Sequence, residues 1–256
     1  MVLGKGWQEV QWVFTDVDDT LTWEGRLPVD SLQALYDLEA AGIQTVAVTG
    51  ACSGWGDHMA QLWPLRAVIS ENGAACMERL DGKLHLATDQ PIRDMRLAQA
   101  KLRCEVDDLL QDYPDLGLTI DQSYRICEVA IDIGQNRDPV DTDIVTGLAE
   151  RIRALGANAT ISSIHINAWY GQHSKISAIL KFLARQGVDE TTAARTACYI
   201  GDSPNDQGAW ARLPLGAGVS NVRRYLDRLE TPPAIIMERP GGFGFAQFAQ
   251  QLLALK

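Results

Sequence analysis

The sequence predicts an α/β protein: a doubly wound, Rossmann-like parallel-sheet core built from both ends of the chain, with an inserted α+β segment that would cap it. Three observations predict this. Apolar runs of strand length alternate with helical periodicity over residues 10–73 and again beyond residue 174. The runs end in polar residues, and between the two stretches the pattern changes to strands with two helices. The expected division is 1–82 and 171–256 for the core and 83–170 for the cap.

Val10, Trp12, Val13 and Phe14 mark the first strand. Pro28 opens a segment with Leu32, Leu35 and Leu38 at helical spacing, closed by Gly42, a glycine stop. The strand IQTVAV then delivers Thr49 and Gly50, a helical stretch runs around His58 to Trp63, and the strand AVIS leads to Glu71, Asn72 and Gly73. Such alternation implies right-handed crossovers. After Ser174, Ile176, Ile179, Leu180 and Leu183 form one helical face ending at Gly187. TACYI is the next strand, LGAGV and AIIM are two more, and the chain ends in a helix.

In the insert, a long helix is expected from Pro91 to before Pro114, followed by strands LTI and YRICEVAIDI. Asp138 and Pro139 signal a helix ending near Gly156. ATISSIHINAW reads as one further strand. Alternation puts Ile164, Ile166 and Ala168 on the face toward the helices and Ser163, His165, Asn167 and Trp169 on the other. Glu128 and Asp132 likewise share a face. That polar face is either simply solvated or closes over a ligand.

Composition excludes several classes. Hydrophobic residues make up 46% and charged residues 22%, ordinary for a folded domain. A net charge of −10 argues against nucleic acid and anionic membrane as partners, since both are held by basic surface. The five cysteines are scattered without a CxxC pair, and read as reduced thiols of a cytoplasmic protein. There is no leader pattern or run of membrane-spanning length. His58, His85 and His173 show no metal-ligand spacing, and the oligomeric state is not indicated.

Asp16 and Asp18 of DVDDT project from the end of a buried strand, where acids are rarely left unpaired. Ligands of open parallel sheets bind beyond the strands' carboxyl ends. A cation, with one carboxylate left free for chemistry, explains both facts. The same residue types also make turns and caps, so the remaining motifs decide. Thr49 follows the second strand, Lys175 opens a helix, and Asp202, Asn205 and Asp206 of GDSPND follow TACYI. A lysine in a first helical turn opposes the helix dipole, which favours a bound anion there.

DVDDT, VTG, Lys175, GDSPND and ENGA, in this order around an insert, resemble the haloacid dehalogenase superfamily of phosphohydrolases. The resemblance spans the chain and is to the large-cap subgroup, which holds the Cof-like and sucrose-phosphatase-like proteins. It implies a magnesium-dependent phosphatase acting on a small phosphorylated metabolite, with a sugar phosphate favoured. Asp16 would be the nucleophile and Asp18 the general acid and base. Thr49 and Lys175, with Gly50 and Asn205, would bind the phosphoryl group. Asp16, the Asp18 carbonyl, Asp202 and Asp206 would serve Mg²⁺. Glu128, His165, Asn167 and Trp169 would meet the leaving group from the cap. Two positions depart from the pattern: Ala51 stands where relatives often have arginine, and Asn167 where they often have an acid. The alternatives are a phosphosugar mutase using the same aspartyl phosphate, or a non-catalytic phosphate-binding regulatory protein.

Overall fold

The computed structural model describes residues 2–256. The amino-terminal stretch contributes β1 (Trp12–Thr15), α1 (Val29–Ala40), β2 (Gln44–Val48), α2 (Ser53–Leu62), β3 (Ala67–Ser70), β4 (Ala75–Leu80) and β5 (Lys83–Thr88). There follow α3 (Ile92–Leu110), β6 (Val129–Asp132), α4 (Thr142–Ala154), β7 (Asn158–Ile161) and β8 (His165–Trp169). The chain closes with α5 (Lys175–Arg185), α6 (Glu190–Thr196), β9 (Ala197–Gly201), α7 (Gln207–Arg212), β10 (Leu215–Gly218), β11 (Ile235–Ile236) and α8 (Gly241–Leu253).

The large sheet has eight strands in the order β11-β10-β9-β1-β2-β3-β4-β5. Every pair from β11 to β3 is parallel, and β4 and β5 add antiparallel to the edge. Alternation along β1 feeds two cores: Val13 packs with Leu35 and Leu38 of α1, Met59 of α2 and Phe245 and Phe248 of α8. Trp12 and Phe14 face the other way, onto Ile179 and Phe182 of α5 and Trp210 of α7. Both faces of the sheet are thus covered, as a parallel sheet requires. Among the described residues no helix is long and apolar enough to cross a membrane.

The insert is a three-stranded antiparallel sheet, order β6-β8-β7. Its apolar face carries Val129, Ile131, Ile166 and Ala168 and packs on Leu102 and Val106 of α3 and Leu148 and Ile152 of α4.

Several expected elements differ. The large sheet continues to Thr88, past the boundary expected at residue 82, because Lys83–Thr88 pairs back on β4. LTI is not a strand: only Leu118 bridges Ile131, and Ile120–Tyr124 coils into a 3-10 turn. The Gln122 amide takes the place of a strand neighbour there, accepting from Ala130 N at 2.8 Å and donating to Glu128 O at 2.9 Å. YRICEVAIDI accordingly forms a strand only from Val129. ATISSIHINAW is a hairpin, not one strand, because the Ser162 hydroxyl captures Ile164 N and His165 N and turns the chain. Ile164 therefore sits in the turn and not on the helix-facing side. The helix expected from Asp138 starts at Thr142, capped by the Asp141 carboxylate on Asp143 N at 2.8 Å. Val140 is drawn instead into a bond with the Ile133 carbonyl at 3.0 Å.

Candidate active site

β9, β1 and β2 are adjacent and parallel, so the residues just past their carboxyl ends meet at one edge. Those residues are Asp202, Asp16 and Thr49. Asp16 N bonds to Ile200 O at 2.9 Å and Thr49 N to Ile69 O at 2.8 Å, which carries the sheet ladder one residue past each strand. All three side chains are buried.

Lys175 enters from α5. Ser174 and Ser177 form a reciprocal capping box, fixing Lys175 as the first helical residue. Its ammonium lies 2.9 Å from Asp16 Oδ1 and 2.8 Å from Asp206 Oδ1. Burial opposes the ammonium charge, but Asp16 and Asp206 more than offset this and hold its pKa above the ordinary lysine value.

Asp206 is the hub of the GDSPND loop. Oδ1 also accepts from the Tyr199 hydroxyl at 2.5 Å, and Oδ2 accepts from the backbone N of Asp202 at 3.0 Å and Ser203 at 3.2 Å. Gly201 has to be glycine, because a Cβ there would collide with this carboxylate. Asp206 thus spends its acceptors on organising the loop.

Asp16, Asp202 and Asp206 bring carboxylate oxygens within 4.8 Å of one another. One oxygen each of Asp16 and Asp202 is bonded: Asp16 Oδ1 to Lys175, and Asp202 Oδ2 to Asn221 at 3.0 Å with Arg224 at 3.6 Å. Among the described residues, none donates a hydrogen bond to the other oxygen of either. Burial first, then the neighbouring carboxylates, pushes Asp202 well above the usual range. Asp16 is raised to about 7 by burial, with Lys175 pulling the other way. Hard oxygens, crowded negative charge and two free acceptors fit a divalent cation of the magnesium type.

Asp18 lies two residues beyond Asp16 and borders two cavities. The smaller is lined by Asp16, Asp18, Gly50, Asn167, Asp202 and Asn205 among others. The larger, a cleft of about 540 Å³, runs from Asp18 to Trp55, Trp63, Asp121 and Gln135. Burial raises the Asp18 carboxyl to about 6, with Asp19 adding to the shift. Asn205 accepts from Lys175 at 3.4 Å and from Ser203 Oγ at 2.9 Å.

On the polar face of the small sheet, Glu128, His165, Asn167 and Trp169 are buried against the large-sheet half and not solvated. His165 borders both cavities and contacts Gln135 at 2.8 Å; burial drops its pKa to about 4, so the ring is neutral. Asn167 lines the small cavity and donates to Gly50 O at 3.0 Å and to Glu128 at 2.8 Å. Glu128 and Trp169 line neither cavity. Glu128 stands behind Asn167, bonded to Asn72 at 2.9 Å, and burial pushes it up to about 8. Trp169 packs into the main core and stacks on His173, 5.1 Å away. Both were expected against the leaving group; alternation assigned their face, but the large-sheet half covers it there, and of the four expected residues His165 and Asn167 are the ones that line a cavity.

Three residues had no assigned role in the sequence reading. Arg125 is buried and donates from Nη1 to Gly50 O at 2.8 Å. Glu71, of ENGA, accepts the backbone N–H groups of Ile126, Cys127 and Glu128 at 2.9, 2.8 and 2.8 Å, joining the insert to the loop after β3. Tyr199 supports Asp206. Each carried a faint signal: a polar residue inside an otherwise apolar run, or an acid at a strand end.

No family model and no curated protein sequence matches the chain. Its likeness to known proteins lies in three dimensions. A crystal structure of a Thermoplasma acidophilum protein, 0175, aligns over 96% of this chain and 99% of its own, with TM-score 0.75 and 14% identity. Sucrose-phosphatase from Synechocystis, solved with sucrose and phosphate, aligns over 95% and 98%, with TM-score 0.65 and 13% identity. A Bacteroides thetaiotaomicron phosphatase of the haloalkanoate (HAD) enzyme superfamily aligns over 99% and 97%, with TM-score 0.62 and 17% identity. The chain therefore has the fold of haloacid dehalogenase superfamily phosphatases, core and insert together.

Proposed function

We propose that this chain is a magnesium-dependent phosphatase that hydrolyses a small phosphorylated metabolite, a sugar phosphate in particular, through an aspartyl phosphate on Asp16. The observation that carries the reading is the meeting of Asp16, Asp202, Lys175 and Thr49 at one sheet edge, with Asp18 lining both the small cavity and the cleft. We read 1–88 and 171–256 as the catalytic core, 89–170 as its cap, and the cytoplasm as its location. The sugar-phosphate preference draws on the likeness to sucrose-phosphatase and on a cleft that mixes tryptophans with hydrogen-bonding groups.

One carboxylate oxygen of Asp16 would attack phosphorus, leaving the other for the cation, as the ester P–O bond breaks, and the leaving alkoxide would take the Asp18 proton. Asp18, now a carboxylate, would remove a proton from water as that water displaces phosphate from Asp16. Its raised pKa suits the first of these roles. Lys175 and the Thr49 hydroxyl would hold the phosphoryl oxygens. Asp16 and Asp202 would hold Mg²⁺ together with the Asp18 carbonyl, Asp206 lying one layer behind. Bound there, the ion would supply relief of nucleophile–phosphate repulsion and stabilise transition-state charge.

Phosphate release from 4-nitrophenyl phosphate, then from a panel of sugar phosphates, tests the reading. Chelation should abolish release and Mg²⁺ should restore it, with Ca²⁺ a poor substitute because its shell is looser and higher-coordinate. Full activity after exhaustive chelation would remove the metal from the scheme.

Asp18→Asn should lower kcat on an alkyl phosphate by about 10² to 10⁴, the usual worth of a general acid–base group. Nitrophenolate leaves without a proton, so formation of its phosphoenzyme in a rapid-mixing experiment should be largely spared. Equal losses on both esters would contradict the acid role.

A further inference from the structure

We propose that Arg125, contributed by the insert, is a positioning residue that orients the Thr49 hydroxyl toward the phosphoryl group through the Gly50–Ala51 peptide. The inference rests on the phosphatase reading above.

The chain of contacts is continuous. Ala51 N donates to Thr49 Oγ1 at 2.9 Å, so the hydroxyl already accepts one bond and its own proton is free to be donated. Among the described residues no protein acceptor takes that proton, although the side chain is fully buried. At the other end of the same peptide, Gly50 O accepts from Arg125 Nη1 at 2.8 Å and from Asn167 Nδ2 at 3.0 Å. Two donors on one carbonyl, one of them charged, polarise the peptide and strengthen the N–H on its far side.

The flanking carbonyls are held by the core itself: Asn72 N bonds to Thr49 O and Glu71 N to Ala51 O, both at 3.0 Å. The central peptide alone depends on the insert. It is also the one most able to flip, since Gly50 tolerates backbone angles other residues avoid. A flip would carry the Ala51 N–H away from Thr49 and release the hydroxyl to rotate. Arg125 is in turn fixed between Glu128 and Asp121, at 3.4 Å each. It does not line the small cavity, so it acts through the peptide and not on the phosphoryl group. The next three backbone N–H groups, of residues 126–128, are gripped by Glu71. Docking of the insert would therefore complete the phosphoryl-binding loop.

The test is a double-mutant cycle: wild type, Arg125→Met, Thr49→Val and the double variant, assayed with 4-nitrophenyl phosphate and Mg²⁺ and titrated with inorganic phosphate by calorimetry. Arg125→Met should lower kcat/KM by about 10- to 100-fold, the worth of a charged hydrogen bond. In the Thr49→Val background the same change should cost less than about threefold, because the group it acts through is gone. Losses that simply multiply would overturn the proposal.

Arg125→Lys keeps a cation beside Glu128 and Asp121 but lacks the fork that reaches Gly50. It should repeat the loss and the coupling, and it replaces the methionine variant if that one fails to fold by thermal melting. Absence of turnover in the wild type would remove the phosphatase reading alone. Phosphate affinities across the four proteins would then decide: coupled losses uphold the relay, whereas additive losses, no losses or no phosphate binding overturn it.

Discussion

Asp16→Asn is expected to abolish turnover, by on the order of 10⁴-fold or more, the scale of loss when a covalent nucleophile is removed. The amide keeps the volume of the side chain but does not attack phosphorus. The same variant should be more stable than wild type in chelator at neutral pH, because function here opposes stability. The sign follows from the shift. Asp16 is raised to about 7 in the folded protein from an ordinary 3.8, so it contributes stability fully below the ordinary value, and that contribution is lost as pH rises through 7. Metal-free wild type should lose unfolding free energy between about pH 4 and 7. The asparagine variant should lose less over that window, keeping only the shares due to the other carboxyls that burial raises, Asp18, Glu128 and Asp202. Magnesium should raise the melting temperature of the wild type more than that of the variant. Near-wild-type phosphate release by Asp16→Asn would sink the nucleophile assignment.

The polar edge of the large sheet was legible in the sequence because of where its residues stand. Asp16, Thr49 and Asp202 each follow an apolar run, and parallel neighbours place such positions side by side whatever the rest of the chain does. Lys175 was legible as a misplaced cation in a first turn. The insert was legible in kind, as strands with two helices, but not in detail. Periodicity says which residues share a face, and it correctly put Glu128, His165, Asn167 and Trp169 opposite the helices. It says nothing of what covers that face. Here the cover is the loop after β2 and the segment after β3, so Glu128 ends in a buried hydrogen-bond network and Trp169 against His173. The turn chemistry of Ser162 and the strand-mimicking amide of Gln122 broke the expected strands, since a side chain can satisfy backbone groups as well as a neighbouring strand does. In the sequence Arg125 is one charge in an apolar run. Its meaning depends on Gly50, 75 residues away in sequence.

Lys175→Met should damage stability and activity together, and pH should separate the two. The ammonium is the cation that meets both Asp16 and Asp206, and its side chain is only 4% exposed. Removing one partner of a buried ionic group leaves the others uncompensated, at a typical cost of about 3–5 kcal/mol. Loss of an electrostatic donor to the transition state lowers kcat by about 10² to 10³. In chelator at pH 7 to 8 the variant should therefore unfold at a clearly lower urea concentration than wild type. Toward pH 5 the gap should narrow, because Asp16, already raised by burial, takes up a proton and no longer needs a counter-charge. Activity should not recover there, since a protonated Asp16 is no nucleophile and methionine offers nothing to the phosphoryl oxygens. Urea unfolding of both proteins at the two pH values, paired with kcat/KM on 4-nitrophenyl phosphate, checks each part. A stability gap that does not change with pH would mean that packing, and not charge, holds Lys175 in place.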